Sequence, residues 1–218
     1  MPTRSQTYRV HVSGAFACFT RPELKTERVS YEVMTPSAAR GVLDAVLWRP
    51  AIHWLIERIH VLSPIRFVSF KRNEVASKAS ARGEHARYFA DEDREQRNSL
   101  VLRDVAYVVE ASFALTQRAG PDDNMRKFEE MFERRLAKGQ CFHMPYLGCR
   151  EFAAQVEPAP SSWVVDPSLA GRRDLGLVLH DLRFKDDGSG AATPFFFNAV
   201  MVDGRIDVPE VPSCSTAL

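Results

Sequence analysis

The amino-acid sequence predicts an α+β protein, because two amphipathic helical segments interrupt a longer series of alternating apolar strands. One helical segment begins at Pro36 and the other near Asn124. The order along the chain is strand, helix, strand, hairpin arm, strand, helix and strand, which is the split βαβ pattern of a ferredoxin-like (RRM-like) domain with an inserted hairpin and loop. We expect that domain over residues 1–157 and a small C-terminal β-rich extension over residues 158–218.

Capping residues define the first helix. Thr35 is the expected N-cap, since its hydroxyl can accept an otherwise free amide of the first turn. Pro36 suits the first helical position, where its missing N–H costs nothing, and Pro50 ends the helix. The apolar face of this helix comprises Ala38, Ala39, Val42, Leu43, Val46 and Leu47.

The second helix is expected over residues 124–138. Asp122 or Asp123 is its expected N-cap, and Gly139 is expected to close it in a left-handed conformation. The side chains expected on its buried face are Phe128, Met131, Phe132 and Leu136.

The strands of the main domain follow from runs of apolar and β-branched residues. Gly14 and the Arg103-Asp104 pair interrupt the alternation, so we expect a β-bulge at each. Residues 76–98 are strongly polar and are expected to form a long inserted loop. The expected strands are Tyr8–Phe19, Ile52–Leu62, a strand that starts at Ile65, Leu100–Leu115 and Gly148–Val156.

The C-terminal extension also has strand patterns. Asp203-Gly204 is typical of a tight hairpin turn between two strands. The expected strands of the extension are Trp163–Val165, Leu175–Phe184, Phe195–Val202 and Arg205–Val208.

Composition limits the class of protein. The chain has 218 residues, of which 45% are hydrophobic, and its formal net charge is +1. No apolar run is long enough to span a membrane and the N-terminal residues are polar, so we expect a cytoplasmic protein without a membrane partner. The near-neutral charge does not exclude a nucleic-acid binder, because a local cationic face is sufficient. The four cysteines are widely spaced and are expected to stay reduced: Cys18, Cys141, Cys149 and Cys214.

Standard cofactor and metal motifs are missing from the sequence. Cys141, His143 and Cys149 have a spacing that matches no common zinc finger, and a fourth ligand is lacking. There is no phosphate-binding glycine loop, no HExxH pair and no nucleophile elbow. We therefore expect neither a bound metal nor a cofactor.

Several sequence stretches carry a resemblance to a known family. They are Phe19-Thr20-Arg21-Pro22, Val29-Ser30-Tyr31, residues 35–41, Trp48-Arg49-Pro50-Ala51-Ile52, Pro64-Ile65-Arg66-Phe67, Arg72-Asn73-Glu74 and residues 139–152 except Met144. With these stretches the chain resembles the type I-C (subtype d) branch of the CRISPR-associated Cas-five family. The resemblance implies a ferredoxin-like domain with a β-rich C-terminal part, maturation of CRISPR RNA, and membership of the interference complex.

The resemblance also implies positions for a catalytic group. Family members that process precursor RNA use a Tyr at the end of the first helix and a Lys-His pair at the start of the later one. The matching positions here are Leu47 and Lys127-Phe128, so only the lysine is kept. His143 and Tyr146 are the expected substitutes, because an imidazole and a phenol can transfer protons during attack of a ribose 2′-hydroxyl on the neighbouring phosphate. His143 could instead tie its loop to a backbone carbonyl, and Tyr146 could be a core residue.

Phosphate contacts are expected from basic residues around the same cleft, since arginine forms paired hydrogen bonds to phosphate. Tyr31 is a further expected contact, and Tyr88 or Phe89 in the inserted loop is expected to stack on a base. The predicted RNA-binding residues are Arg21, Lys25, Arg28, Tyr31, Arg40, Arg49, Arg66, Lys71 and Arg72.

Three hypotheses of function follow. The first is a metal-independent endoribonuclease that cleaves precursor CRISPR RNA at the repeat hairpin and stays bound to the 5′ tag in the type I-C interference complex. The second is an RNA-binding scaffold subunit of that complex without catalytic activity, which the Leu47 and Phe128 replacements favour. The third is a metal-dependent, non-specific nuclease or binder of double-stranded DNA.

Overall fold

The structure is a computed structural model that describes residues 4–24, 26–76, 93–184 and 192–210. In these ranges it is an α+β protein built on one mainly antiparallel sheet, as the sequence predicts. The elements are β1 Tyr8–Ala17, α1 Pro36–Val46, β2 Ile52–Val61, β3 Phe67–Val75, β4 Arg94–Leu115, α2 Met125–Ala137, β5 Gln155–Pro158, β6 Arg172–Phe184, β7 Ala192–Val202 and β8 Arg205–Asp207.

The sheet has the strand order β5-β1-β4-β2-β8-β7-β6 across the described part of the chain, and β3 pairs with the first half of β4. Strand β4 is the longest strand of the sheet. Its N-terminal part pairs with β3, and the remainder lies between β1 and β2. Helix α1 packs on β2 and β6, and α2 packs beside β5. None of the helices in the described ranges has the length and apolarity needed to cross a membrane.

Helix α1 begins as predicted. The Thr35 hydroxyl accepts a hydrogen bond from the Ala38 amide at 3.2 Å, with Pro36 in the first turn. Its apolar face packs into the main core, where Leu43 is fully buried. The helix ends before Leu47, whose amide still donates to the Leu43 carbonyl.

The N-cap of α2 differs from the predicted residue. Asn124 accepts the hydrogen bond from the Lys127 amide, whereas Asp123 instead accepts one from the Gly120 amide in the preceding turn. The predicted closing residue is confirmed, since Gly139 has a φ of +62°. The buried face contains Phe128, Phe132 and Leu136, with Met131 partly buried against them.

Aromatic side chains fill the core between the sheet and α2. Trp54 lies at the centre, with its ring centroid 4.7 Å from that of Phe132 and 5.1 Å from that of Phe113. Tyr8 closes the same cluster against Phe132 at 4.9 Å. Burial raises the pKa of Tyr8 to about 12, so its hydroxyl stays neutral.

The two predicted bulges in β1 and β4 are absent. The register between these strands is unbroken from Gly14–Val105 to Phe16–Arg103, although Asp104 has a positive φ of 52°. Glycine is needed at position 14 because a Cβ there would lie 2.5 Å from a methyl group of Leu147. The register shift occurs instead in β2, between Ile56 and Arg58.

Two predicted strands are also wrong. Residues 148–152 form turns and bends, Ala153 makes an isolated bridge to Tyr146, and only Gln155–Pro158 pairs with β1. Gly148 has a φ of +81°, which directs the chain away from an extended path. Residues 163–165 pair with no strand in the described ranges.

The hairpin turn at Asp203-Gly204 is confirmed, with φ values of 49° and 76° that suit a type I′ turn. The turn returns the chain into β8, which pairs with β7 and also with β2. The C-terminal strands thus continue the sheet of the main domain. The boundary at residue 158 stays a prediction.

Candidate functional site

Lys127 lies in the first turn of α2, with its side chain 44% exposed. Its Nζ is 2.9 Å from Oδ1 of Asp123. This hydrogen bond, with others, holds the pKa of Asp123 below its usual range, and the charge of Arg49 contributes to the same shift. Lys127, Asp123 and Arg49 therefore lie close together where β2 begins and α2 starts.

His143 and Tyr146 lie in the loop that follows α2. The Phe142 and His143 amides both donate to the Ala45 carbonyl, at 2.7 and 3.3 Å, so the loop is fixed to the C-terminal end of α1. The His143 ring is exposed and is 6.3 Å from the Tyr146 ring at an interplanar angle of 30°. Its Nδ1 lies 3.2 Å from the adjacent Met144 carbonyl. The structure thus brings two of the three predicted catalytic residues together.

Lys127 is separated from this pair by the length of α2. Lys127 is in the first turn and Lys138 follows the last, so about 16 Å of helix axis lies between them at the usual rise per residue. Within the described ranges, no hydrogen bond or ring contact links Lys127 to His143 or Tyr146.

Leu47 and Phe128, at the positions where the resemblance implies Tyr and His, are core residues. Both side chains are buried in the main hydrophobic cluster. The Leu47 carbonyl accepts a hydrogen bond from the Trp54 indole at 3.2 Å, so this backbone is also fixed. Any ionisable side chain of this region is therefore a different one.

Asp44 is such a side chain, and sequence reasoning missed it. Burial raises the pKa of Asp44 to about 6, an effect that Arg40 opposes and the charge of Asp181 reinforces. His143 lies near this carboxyl, because its amide donates to the carbonyl of Ala45, the residue after Asp44. The Arg40–Asp44 spacing of four residues on an apolar helix is a sequence signal for the pair, but the contribution of Asp181 from β6 is not visible in the sequence.

The Asp44→Asn variant should change how stability depends on pH. The folded-state pKa of about 6 lies above the ordinary value of 3.8, so the native state binds more protons than the unfolded state between these values. Wild-type stability should therefore lose roughly 2–3 kcal/mol from this group as pH rises from 4 to 7, whereas the amide cannot ionise. Urea unfolding of both proteins at pH 4, 5, 6 and 7 measures the difference. A difference that is independent of pH would mean that Asp44 ionises as it does in water.

The predicted phosphate-binding cations divide into two groups. Four are engaged within the protein: Arg40 with Asp44 and Asp181, Arg28 with Sγ of Cys149, Arg72 with Glu151, and Arg21 over the Tyr31 ring at 4.6 Å. Three are exposed and form no ion pair in the described part of the chain: Arg49, Arg66 and Lys71. These three are the cations most available to a ligand.

Some predicted contacts have a different environment from the expected one. Tyr31 is only 3% exposed, and burial raises the pKa of its phenol, so the ring is not available for stacking in this conformation. Lys25 lies outside the described residues, as do Tyr88 and Phe89 of the inserted loop.

Cys149 and Cys18 form a buried thiol pair next to Arg28. Hydrogen bonding with Cys18, opposed by burial and aided by Arg28, lowers the pKa of Cys149, while the pKa of Cys18 is raised. Sγ of Cys149 is 3.2 Å from the Arg28 guanidinium. Cys18, Cys141 and Cys149 are free thiols, and Cys214 lies outside the described residues.

Trp48 and Phe142 were not selected from the sequence. Trp48 follows α1 and Phe142 follows α2, and their rings stack with centroids 6.3 Å apart at 28°. The Phe142 ring also contacts the His143 ring at 5.9 Å. Trp48-Arg49-Pro50 directly after a helix is a weak signal for an exposed Trp, but nothing in the sequence shows that Phe142 meets it.

Several solved structures share this fold. A structure titled as a CRISPR-associated protein matches with a TM-score of 0.73 at 23% identity, over 99% of this chain and 97% of that one. A functionally uncharacterized protein from Streptococcus mutans matches with a TM-score of 0.71 at 22% identity, over 99% and 98%. A chain of a CRISPR RNA-guided surveillance complex matches with a TM-score of 0.55 at 14% identity, over 94% and 91%. The chain thus shares its α+β fold with these solved structures.

Sequence comparison specifies the family. The family model for the CRISPR-associated protein Cas5, in its Cas5d form, matches residues 7–209. A protein of Mannheimia succiniciproducens named CRISPR pre-crRNA endoribonuclease Cas5d is 48% identical over 92% of this chain and 94% of its own length. A protein of the same name from Thermus thermophilus is 44% identical over 92% and 90%. The chain belongs to the Cas5d family.

Proposed function

We propose that this protein is an endoribonuclease that binds CRISPR repeat RNA and cleaves the precursor at the base of the repeat hairpin. The observation that carries the proposal is the 48% identity, over nine-tenths of both chains, to a relative named for this activity. The second relative, at 44% identity, has the same name. Each match covers at least 90% of both chains, so the similarity extends over the whole fold rather than one motif.

The proposed reaction needs no metal. A base removes the proton of the ribose 2′-hydroxyl, which attacks the adjacent phosphorus, and an acid protonates the leaving 5′-oxygen. His143 suits the base or the acid, since its ring is exposed and an imidazole can both accept and donate a proton. Tyr146 lies beside it as a hydroxyl donor. The products are a 2′,3′-cyclic phosphate and a 5′-hydroxyl.

Cations would stabilise the charged phosphorane and hold the RNA backbone. Arg49 is exposed and lies near Lys127 and Asp123 at one end of the sheet. Arg66 and Lys71 are exposed on the connection before β3 and on β3 itself. We assign Lys127 to contact with the RNA backbone rather than to proton transfer, because the length of α2 separates it from His143 and its ammonium group is paired with Asp123.

The fold of the proposed RNA-binding domain is ferredoxin-like. This proposal is supported by the strand order β5-β1-β4-β2 and the element order β1-α1-β2-β4-α2-β5, since two split βαβ units with antiparallel neighbouring strands would have this arrangement. In this assignment β3 and the start of β4 form the inserted hairpin, and the residues after 157 form the extension.

We further propose that the protein stays with its RNA product as a subunit of the type I-C interference complex. This is supported by the fold that it shares with a chain of a CRISPR RNA-guided surveillance complex. The 5′ tag of the mature RNA and the other subunits of that complex are the proposed partners.

The scaffold hypothesis keeps one specific observation in its favour. Leu47 and Phe128 are buried core residues, so the family's catalytic positions carry no proton-transfer group in this chain. A scaffold subunit would bind the same hairpin without cleaving it.

Single-turnover cleavage of the cognate repeat hairpin in excess EDTA tests the proposal. We expect one cut, with a 2′,3′-cyclic phosphate at the new 3′ end, at a rate that added magnesium does not raise. The matched control is the same RNA with one 2′-deoxy nucleotide at the cut, which should bind equally and remain intact. Tight binding without cleavage would establish the scaffold, and cleavage of duplex DNA only with metal would establish the third hypothesis.

A further inference from the structure

Three exposed rings and one half-buried ring form a continuous row near the C-terminal ends of the two helices, which we term the aromatic platform. Its members are Trp48, Phe142, His143 and Tyr146, in contact in that order at centroid distances of 6.3, 5.9 and 6.3 Å. Trp48 comes from the segment after α1 and the other three come from the loop after α2. The platform therefore exists only in the folded chain.

The exposure of these side chains is unusual for their size. Trp48 is 51% exposed, Phe142 is 63% exposed, and the neighbouring Met144 is 66% exposed. Large apolar side chains that are grouped on the surface indicate a binding site more often than single exposed ones do. Trp54, by contrast, is almost fully buried in the core.

The backbone that carries the platform is fixed. The Phe142 amide donates to the Ala45 carbonyl at 2.7 Å, and Arg135 of α2 donates to the Val46 carbonyl at 2.8 Å. Leu147, just after the loop, is buried in the core and its amide donates to the Phe152 carbonyl. The rings are thus presented on a preformed surface, which lowers the entropic cost of binding.

Exposed basic side chains lie on both segments that carry the platform, and Asp44, which is near His143, is paired with Arg40. Residues 45–51 and 138–150 contain Arg49, Lys138 and Arg150 and no aspartate or glutamate. All three basic side chains are exposed. Stacked aromatic rings next to basic residues are the combination that binds single-stranded nucleic acid, because rings stack on bases and cations contact phosphates.

We propose that the aromatic platform binds unpaired nucleotides of the RNA by base stacking. Trp48 and Phe142 hold the bases, and the strand continues past His143. The inference rests on the proposed function and deepens it, since it assigns the contact with the single-stranded RNA that flanks the repeat hairpin. A duplex could not use this surface, because its bases are already stacked on one another.

A protein partner is the less favoured occupant. The centres of protein–protein interfaces are enriched in aromatic residues, methionine and arginine but depleted of lysine, and Lys138 is exposed beside this row of rings. Here the row is flanked by cations on both contributing segments.

Equilibrium binding to non-cleavable repeat RNA tests the platform. Two RNAs carry the 2′-deoxy nucleotide at the cut, one with single-stranded flanks and one a blunt hairpin. We expect Trp48→Ala and Phe142→Ala each to weaken binding of the flanked RNA by about tenfold and to leave the blunt hairpin unaffected. Trp48→Phe should restore most of the affinity, because it keeps a ring. The control is Phe196→Ala, which removes an exposed ring from β7.

The outcomes separate this inference from the proposed function, because binding is measured on RNA that cannot be cut. An effect limited to the flanked RNA supports the platform even if wild type never cleaves. Unchanged affinity for both RNAs in folded variants would overturn it. Loss of assembly with the other subunits of the complex at unchanged RNA affinity would overturn it in favour of a protein interface.

Discussion

The His143→Ala variant is expected to slow single-turnover cleavage of the repeat RNA by about 10²–10⁴-fold, because it removes a proton-transfer group. Affinity for the RNA should change little. The exposed ring has one hydrogen-bond partner, the adjacent Met144 carbonyl, so its removal should not disturb the fold. Rates and dissociation constants measured on the same hairpin, with circular dichroism to check folding, give the comparison.

The corresponding change at Lys127 should have a smaller effect on the same rate, since its role is electrostatic. Arg126→Ala is the matched control, because Arg126 is the preceding cation of α2 and is exposed in an ion pair with Glu130. If the His143→Ala protein cleaves at the wild-type rate, His143 has no catalytic role. A rate loss that equals the loss of affinity would have the same meaning.

The Gly148→Ala variant is expected to lose roughly 3 kcal/mol or more of its free energy of unfolding. A φ of +81° is unfavourable for any residue with a Cβ, and a Cβ here would lie 2.0 Å from the Cys18 carbonyl oxygen. Because this contact is with backbone, a side-chain rotation cannot relieve it. Urea unfolding measures the change.

The matched control for Gly148 is Gly41→Ala. Gly41 lies within α1 and a Cβ there would meet no atom within 4 Å, so alanine should stabilise the helix by about 0.5–1 kcal/mol. Opposite signs for the two substitutions are the expected result. A Gly148→Ala protein as stable as wild type would show that the loop can move away from β1 at little cost.

Local signals explain which parts of the fold were predictable. The start of α1 depends on Thr35 and Pro36, two adjacent residues that act within one turn, and it is confirmed. The predicted N-cap of α2 is wrong, because Asp122, Asp123 and Asn124 follow one another and each can cap a helix. Asp123 instead accepts a hydrogen bond from the Gly120 amide in the preceding turn. Sequence alone does not rank such neighbours.

Long-range contacts explain the failures. Residues 148–154 have a strand-like composition, but Gly148 packs against Cys18 and turns the chain. The aromatic platform joins residues 48 and 142, and the raised pKa of Asp44 depends on Asp181, so neither could be found by reading the chain locally. The sequence resemblance identified the family, yet the side chains that replace the missing Tyr and His stay a prediction.

The position of β8 has a consequence for synthesis of the protein. β8, at residues 205–207, pairs with β2, at residues 52–61, so the sheet cannot be completed until almost the whole chain has left the ribosome. Contacts between segments so distant in sequence slow folding, and until β8 arrives the edge of β2 is open to pairing with other chains. Nascent chains stalled before residue 205 should therefore leave this edge unpaired and depend on chaperones.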